Sequence, residues 1–321
     1  MLKPGWTKRF KFNPDTGFGN AASTQGSRLV NHDGTFNVIR KGLPFSERVN
    51  LYHDLIRMPW WLFNTIVIAG FILINCAFTI AYMLIGIEQL QGIVHTQAQD
   101  IWFEVFTFSC QTFSTVGYGR INPLGNMAGG VAAFEALAGT ILAALLTGLV
   151  FARFARPRAK LAYSNVALIA PYKEINALMF RIANARDNQL VECEISLMFS
   201  FIETETGMRR YMNLELERNR ITGLPLSWTV VHPITEQSPL FELSETELIQ
   251  LQGEFVFTFK AFDDTYSQVV YTRHSYHAEE LVWGAKFIPM FNPSDSHEAT
   301  ELKMDKINAY EVVAININKS V

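Results

Sequence analysis

Two long apolar runs constrain the fold of this chain more than any other feature of its sequence. Residues 60–87 contain no Asp, Glu, Lys or Arg, and Glu135 is the only charged residue between Arg120 and Arg153. Since a helix of about 20 apolar residues crosses a bilayer, each run predicts a transmembrane helix. No charged segment with a short apolar core and a cleavage site precedes them, so we expect both spans to remain in the mature protein.

Basic residues next to the spans predict their orientation. Arg48 and Arg57 precede the first span, whereas residues 88–100, between the spans, contain no Lys or Arg. The second span is followed by Arg153, Arg156, Arg158 and Lys160. Because cytoplasmic flanks are enriched in Lys and Arg, we expect both termini to be cytoplasmic, in a multi-pass protein of the cell (inner) membrane.

The segment Thr115-Val116-Gly117-Tyr118-Gly119 lies between the two spans. Its carbonyl oxygens and the Thr115 hydroxyl are suited to replace the water shell of a dehydrating cation, and glycine permits the mirror-image dihedrals that align successive carbonyls. A single loop cannot encircle an ion, so four copies are needed. The segment predicts a K⁺ selectivity filter, with K⁺ at its carbonyls as the only expected metal and no cofactor. The alternative, a surface turn, is disfavoured by the apolar flanks.

Residues 101–113, directly before this segment, are apolar and aromatic but too few to span a bilayer. We predict a re-entrant pore helix whose carboxyl end directs partial negative charge at the cavity below. Non-helical backbone is tolerated at membrane depth where it lines a water-filled path, which fits the segment that follows.

The amino-terminal part predicts a loosely ordered tail over residues 1–44, with one short strand near residues 36–39. An amphipathic interfacial helix is expected over residues 45–58, with Ser46 as its cap. Pro59 would end this helix, and the indoles of Trp60 and Trp61 are suited to the headgroup layer.

The pattern after Pro157 changes to a period of two, which is typical of β-strands. Apolar alternation with turn signals between the runs occurs at residues 167–169, 177–182, 192–199, 254–259 and 268–271. Short strands at this spacing predict an all-β, immunoglobulin-like sandwich on the cytoplasmic side. The predicted segments are a tail (1–44), the interfacial helix (45–58), a two-span pore domain (59–152), a basic linker (153–160), the sandwich (161–295) and a tail (296–321).

Cysteines and histidines indicate no metal or redox chemistry. Cys76, Cys110 and Cys193 show no paired spacing, so neither a disulfide framework nor a metal site is expected. The histidines, including His232, His274 and His277, are scattered on predicted strands and loops. We expect each to be structural.

With these elements in place, the chain resembles the prokaryotic inward-rectifier potassium channels (the KirBac branch) over about residues 51–291. The motifs that carry the resemblance lie at residues 111–119, 152–157, 226–234 and 279–284. The resemblance implies a homotetramer around one pore, passive K⁺ conduction and no enzyme activity. It implies membrane lipids as partners, polyamines or Mg²⁺ as blockers, and no nucleic acid.

The resemblance also implies roles along the second span. Gly139 matches the hinge glycine, and Ala143, Thr147 and Phe151 match pore-lining positions on one helix face. Phe151 would form a hydrophobic gate, with ordinary lipid or helix contact as the alternative. Strong rectifiers carry an acid where this chain has Ala143, so weak rectification is expected, although acids elsewhere could restore part of it.

Two residues are expected to support the filter. Glu135 lies in a span where charge is costly, and a structural acid behind the filter is favoured over contact with permeating ions. Gln111 stands where the eukaryotic members have an acid paired with an arginine beyond the filter. The filter of this chain is therefore expected to use amide hydrogen bonds from Gln111.

Further roles are implied at the cytoplasmic side. The residues that match lipid-contacting basic positions are Arg57, Arg153, Arg156 and Arg158; the alternative is anchoring without regulation. Residues 266–272, with Ser267, Gln268 and Val269, correspond to a loop that narrows the cytoplasmic pore, a candidate second gate.

Two other classes of protein were weighed. A membrane-anchored sensor that uses the sandwich to hold a partner is the main alternative, and the intact filter segment disfavours it. An enzyme is disfavoured because the sequence has no phosphate loop, no nucleophile elbow and no paired catalytic acids.

Overall fold

The computed structural model describes residues 28, 30–31, 34–37, 42, 44, 50–155, 160–291 and 300–316. It divides into two compact units, which we call the pore unit (residues 41–156) and the β unit (residues 1–40 and 157–321).

The described part of the pore unit contains four α-helices and a small two-stranded sheet. Its elements are α1 (Leu51–Arg57), α2 (Trp60–Ile85), a 3₁₀ turn (Ile87–Gln89), β1 (Leu90–Gln91), α3 (Ala98–Phe113), β2 (Asn122–Pro123) and α4 (Asn126–Phe154). The helices α2 and α4 are long and apolar enough to cross a membrane. The two predicted spans are therefore confirmed as helices of the right length and composition.

Two helix starts differ from the prediction. The interfacial helix α1 begins at Leu51, because Asn50 has non-helical dihedrals and its side chain accepts a hydrogen bond from His53 N at 3.1 Å. The predicted cap, Ser46, lies outside the described residues. The pore helix α3 begins at Ala98 rather than at 101. The negative charge of Asp100 in its first turn stabilises the positive end of the helix dipole.

The segment between the spans is tied down on both sides of α3. The strand β1 pairs with β2 in an antiparallel register, with Leu90 opposite Pro123. The carbonyl of Gln89 also accepts hydrogen bonds from Leu124 N at 2.8 Å and Gly125 N at 3.3 Å. The two ends of the loop that holds α3 and the filter segment are therefore fixed to each other.

The β unit confirms the predicted all-β domain. Its strands are β3 (Leu161–Tyr163), β4 (Ala167–Tyr172), β5 (Ile175–Asn184), β6 (Leu190–Ile202), β7 (Arg209–Leu214), β8 (Arg220–Gly223), β9 (Ser227–Ile234), β10 (Glu254–Asp263), β11 (Gln268–His277), β12 (Leu281–Trp283), β13 (Ala285–Phe287) and β14 (Tyr310–Val312), with one short helix, α5 (Glu245–Gln250). Each strand predicted after Pro157 lies inside a longer observed one.

Two five-stranded sheets form the sandwich. One has the order β11-β10-β6-β7 with β8 also paired to β6, and the other has the order β12-β4-β5-β3 with β9 also paired to β5. Their inner faces meet in an aromatic core, in which Phe180 of one sheet stacks on Phe257 of the other with ring centroids 4.5 Å apart. A core of this kind stabilises the sandwich mainly by apolar burial.

Segments predicted as tails pack against the sandwich. Residues 300–316 belong to the β unit, since β14 pairs with β13 and Ile307 packs with Met290 and Ala183. The predicted tail over residues 296–321 is wrong for this part. In the amino-terminal region, Val30 is fully buried and forms a bridge with Phe36. Of the short strand predicted near residues 36–39, residues 38 and 39 lie outside the described residues.

Candidate functional site

The filter segment hangs from the last turn of α3. The main-chain oxygen of Gln111 accepts hydrogen bonds from Val116 N at 2.9 Å and Gly117 N at 3.3 Å. Thr115, Gly117 and Gly119 have φ values of 59°, 56° and 81°. Positive φ at every second residue is the alternation that lets successive carbonyls point to one side. The site therefore offers a row of oxygens on an irregular backbone.

Among the side chains of the filter segment, that of Tyr118 lies behind it. Tyr118 lines a cavity of about 410 Å³ together with Gln111 and Arg120, so it points behind the segment. Val116 and Tyr118 are exposed in this single chain, at 55% and 80%.

An acid–arginine pair is present beside the filter, although its acid is not at position 111. Arg120 pairs with Glu104, which lies almost two turns before Gln111 in α3. The second oxygen of Glu104 accepts from Val94 N at 3.2 Å and His95 N at 3.3 Å. Sequence reasoning missed Glu104, although it is the only acid in the apolar stretch 101–113.

Gln111 contributes to the filter through its main chain. Among the described residues, its side-chain amide makes no hydrogen bond, and its contribution to the filter is the carbonyl oxygen described above. Support of the filter by the amide group of the Gln111 side chain stays a prediction.

Glu135 lies at the centre of a buried polar network behind α3. Tyr82 Oη donates to Glu135 Oε2 at 2.7 Å, and Ser109 Oγ contacts Glu135 Oε1. Ser109 Oγ is also 2.9 Å from Asn75 Oδ1. These residues belong to α2, α3 and α4, so the network joins all three long helices of the pore unit.

Gly139 packs against the end of α3. A β-carbon at this position would overlap the carbonyl oxygen of Phe113 and lie 2.8 Å from its carbonyl carbon. Phe113 is the last residue of α3, two residues before the filter segment. The helix α4 therefore needs glycine here for close approach, whether or not the position also bends.

The predicted pore-lining residues share one exposed face of α4. Ala143, Thr147 and Phe151 are all exposed, and Phe151 is 73% exposed. Thr147 Oγ1 donates to the carbonyl of Ala143 at 2.8 Å, so its hydroxyl follows the helix axis. The geometry leaves this face free to line a pore or to contact lipid.

Of the predicted lipid-contacting residues, the structure describes two. Arg57 is exposed at the end of α1. Arg153 bonds to the carbonyls of Leu55 and Met58, the latter at 2.7 Å, and stacks on Trp60 at 4.3 Å. Its guanidinium therefore satisfies the free carbonyls at the end of α1. Arg156 and Arg158 lie outside the described residues.

The predicted cytoplasmic pore loop is mostly strand. Gln268 and Val269 belong to β11 and pair with Asp263 and Phe262 of β10, so their placement in a loop is wrong. Only the preceding turn is irregular, with φ of 50° at Ser267. The side chain of Asp263 accepts from Thr265 N at 3.0 Å and stabilises this turn.

His232 and His274 of the β unit have structural contacts. His232 lies between the Glu215 carbonyl at 2.5 Å and Ser238 Oγ at 2.7 Å, and burial lowers its pKa. His274 stacks on Tyr163, with ring centroids 4.7 Å apart. In the part of the chain that the structure describes, no group of three His, Cys, Asp or Glu could hold a metal ion.

Two family profiles match the chain. The one described as inward rectifier potassium channel C-terminal domain matches residues 161–320, and the one described as ion channel matches residues 69–156. The gap between them falls close to the boundary between the pore unit and the β unit.

Individual relatives agree with the profiles. The chain is 32% identical over 280 residues to the inward rectifier potassium channel Kirbac3.1 of Paramagnetospirillum magnetotacticum, which covers 86% of this chain and 93% of that protein. It is 27% identical over 301 residues to the ATP-sensitive inward rectifier potassium channel 14 of Mus musculus, covering 84% and 67%. The inward rectifier potassium channel irk-1 of Caenorhabditis elegans is 24% identical over 304 residues, covering 87% of this chain and 56% of the relative.

Proposed function

The chain belongs to the inward-rectifier potassium channel family, as a potassium channel of the prokaryotic type, and on that premise we propose which residues conduct, gate and respond to lipid. In this proposal the filter is Thr115–Gly119, contributed by four copies around one axis. The observation that carries it is the alternation of positive φ at Thr115, Gly117 and Gly119, anchored by the Gln111 carbonyl. Both termini face the cytoplasm, and K⁺ is the permeant ion.

Rubidium uptake into proteoliposomes tests the filter proposal. We expect Rb⁺ uptake that barium blocks. Uptake of Na⁺ should be much smaller, because rings of filter carbonyls match the dehydrated radius of K⁺ and Rb⁺. Protein-free vesicles are the control. Equal uptake of Na⁺ and Rb⁺ by the purified tetramer would contradict a carbonyl filter.

The gate is assigned to Phe151, on the exposed face of α4 near its carboxyl end. Four such rings would exclude water from a narrow path and so stop ions. Phe151→Ala is expected to raise Rb⁺ uptake about threefold, since a small side chain leaves the path wet.

The matched control for this gate is Leu145→Ala, since Leu145 is another apolar, exposed residue of α4 and lies off the face shared by Ala143 and Phe151. Its uptake is expected to equal that of the wild type. An unchanged rate in Phe151→Ala, or the same rise in Leu145→Ala, would remove Phe151 as the gate.

Block by polyamines or Mg²⁺ is proposed to be weak, so that the channel rectifies weakly. Ala143 supplies no charge to the cavity, so rectification depends on acids elsewhere.

Val269, exposed at the start of β11, is proposed to narrow the path through the β unit of the tetramer together with Ser267 and Gln268.

Anionic lipid is proposed to bind Arg57, Arg156 and Arg158, while Arg153 positions α1 through its carbonyl contacts. Each basic residue near an anionic surface contributes about 1 kcal/mol. The double variant Arg156→Gln/Arg158→Gln should therefore raise the anionic lipid concentration needed for half-maximal effect by about tenfold or more.

The lipid proposal is checked by titrating anionic lipid into otherwise zwitterionic vesicles and measuring uptake, at low and high salt. The matched control is Arg186→Gln, an exposed basic residue in the turn after β5. A double variant that responds to lipid as the wild type does would leave these arginines with anchoring alone.

A further inference from the structure

The polar network around Glu135 contains one hydrogen fewer than its acceptors require if the carboxyl group is ionised. Tyr82 donates to Oε2 at 2.7 Å, and Ser109 Oγ lies against Oε1. Ser109 Oγ is also 2.9 Å from Asn75 Oδ1. Because a hydroxyl has a single hydrogen, Ser109 cannot donate to both oxygens.

The orientation of Asn75 is fixed by its other neighbour. Asn75 Nδ2 donates to the carbonyl of Phe71 at 2.7 Å. Rotating the Asn75 amide by half a turn would place Oδ1 at this distance from the Phe71 carbonyl oxygen, and neither oxygen carries a hydrogen. Oδ1 of Asn75 therefore has to face Ser109. An ionised Glu135 would thus leave either Oδ1 of Asn75 or its own Oε1 without a donor, which is costly for a fully buried group.

A negative charge on Glu135 also has no compensation. Glu135, Ser109 and Asn75 are fully buried, and within the described residues no Lys, Arg or His forms an ion pair with Glu135. A buried carboxylate without a cation is strongly destabilised, and a group in that position takes up a proton instead.

We propose that Glu135 is protonated in the folded channel and that its Oε1–H donates to Ser109 Oγ, whose own hydrogen passes to Asn75 Oδ1. The neutral acid is thereby a positioning residue that holds α3 against α4 behind the filter. Each polar atom then has a partner: Tyr82 donates to Oε2, Glu135 to Ser109, Ser109 to Asn75, and Asn75 to Phe71.

This network bears on conduction because Ser109 lies six residues before Thr115, on the helix whose last turn carries the filter. The link to conduction rests on the filter proposed above, whereas the protonation does not. The other titratable side chains near Glu135 are Tyr82, by the hydrogen bond, and Cys110, which lies next to Ser109 and within electrostatic range.

Substitution of Glu135 by its neutral isostere is the first test. In Glu135→Gln the amide nitrogen takes the place of Oε1–H and the amide oxygen still accepts from Tyr82. We expect Rb⁺ uptake within about twofold of the wild type, whereas Glu135→Ala, which leaves Tyr82 and Ser109 without partners, should lose at least about tenfold. Loss of assembly or uptake in Glu135→Gln to the level of Glu135→Ala overturns the proposal.

Infrared spectroscopy of the tetramer in lipid reads the proton directly and does not require conduction. The spectrum of the wild type minus that of Glu135→Gln should contain a protonated-carboxyl C=O band at neutral pH. The same difference without that band, or with a carboxylate band in its place, overturns the proposal.

The pH profile separates a proton from a merely structural role. Wild-type uptake should be constant around neutral pH and fall at alkaline pH. The fall is expected because Glu135 loses its proton, and repulsion between the buried oxygens that then lack a shared hydrogen opens the network. In Glu135→Gln, which keeps Tyr82 and Cys110, that fall should be absent. The same alkaline loss of uptake in both proteins contradicts the protonation of Glu135. A wild type without selective uptake contradicts the filter proposal alone.

Discussion

Replacement of Gly139 with alanine is expected to remove most potassium flux. The added β-carbon would overlap the carbonyl oxygen of Phe113 and lie 2.8 Å from its carbonyl carbon, both of them backbone atoms at the end of the pore helix α3. Neither atom belongs to a flexible side chain, so α3 or α4 has to move. Overpacking of this kind costs about 1–3 kcal/mol, and the nearest segment that moves with α3 is the filter.

The expected measurement is Rb⁺ uptake, lowered about tenfold or more in Gly139→Ala at equal amounts of tetramer. The matched control is Gly148→Ala on the same helix, where an added β-carbon meets nothing within 4 Å. Alanine there favours the helix slightly and should leave uptake unchanged.

The double variant Gly139→Ala/Phe151→Ala distinguishes packing from bending at Gly139. A hinge role concerns opening of the path, so its loss would be relieved by a variant that keeps the path open, Phe151→Ala. A packing role displaces the filter and is not relieved. Full recovery of uptake in Gly139→Ala/Phe151→Ala would therefore reject the close-packing explanation.

The parts of the fold that were predictable from sequence depend on local patterns. The two spans follow from uncharged apolar runs, and the strands of the sandwich follow from period-two alternation, because burial on one or both faces imposes these patterns directly. The filter is a contiguous motif with apolar flanks. Its positive φ values occur at Thr115 as well as at the two glycines, which the glycine argument alone did not indicate.

The parts that were not predictable depend on contacts between distant residues. The pairing of Arg120 with Glu104 requires the turn of α3 and the loop after the filter to be placed first. Arg153 has the same composition signal as a lipid-binding arginine, but its bonds to Leu55 and Met58 follow from the packing of α1 on α4. Residues 300–316 look like a polar tail because β14 is short and finds its partner, β13, only in the folded domain.

A large loss of stability is expected when Arg209 is replaced by methionine. Arg209 at the start of β7 and Glu254 at the start of β10 have side chains that are 2% and 0% exposed, with 3.5 Å between Nη1 and Oε2. Ser200 of β6 lies between them and accepts from Arg209 Nη1 at 2.9 Å. Removing one partner of a buried ion pair costs about 3–5 kcal/mol, because the remaining charge stays buried.

Hydrogen exchange of the full-length channel measures this loss within the β unit. Amides of β6, β7 and β10 should exchange about a hundredfold or more faster in Arg209→Met, whereas those of α2 and α4 should keep the wild-type rate. The exposed pair Arg220–Glu194, at 3.4 Å on the same sheet, supplies the matched control. Arg220→Met should change protection by less than about 1 kcal/mol, since solvent screens that pair.

The double variant Arg209→Met/Glu254→Leu decides which part of the pair is responsible. If the loss comes from an uncompensated charge, removing Glu254 as well should restore most of the protection, because two apolar side chains of similar volume fill the site without burying a charge. Val30 N then loses its acceptor, 3.4 Å away in the wild type, so faster exchange should persist at Val30. A double variant as unprotected as Arg209→Met would show instead that the arginine stem stabilises the sheet by packing.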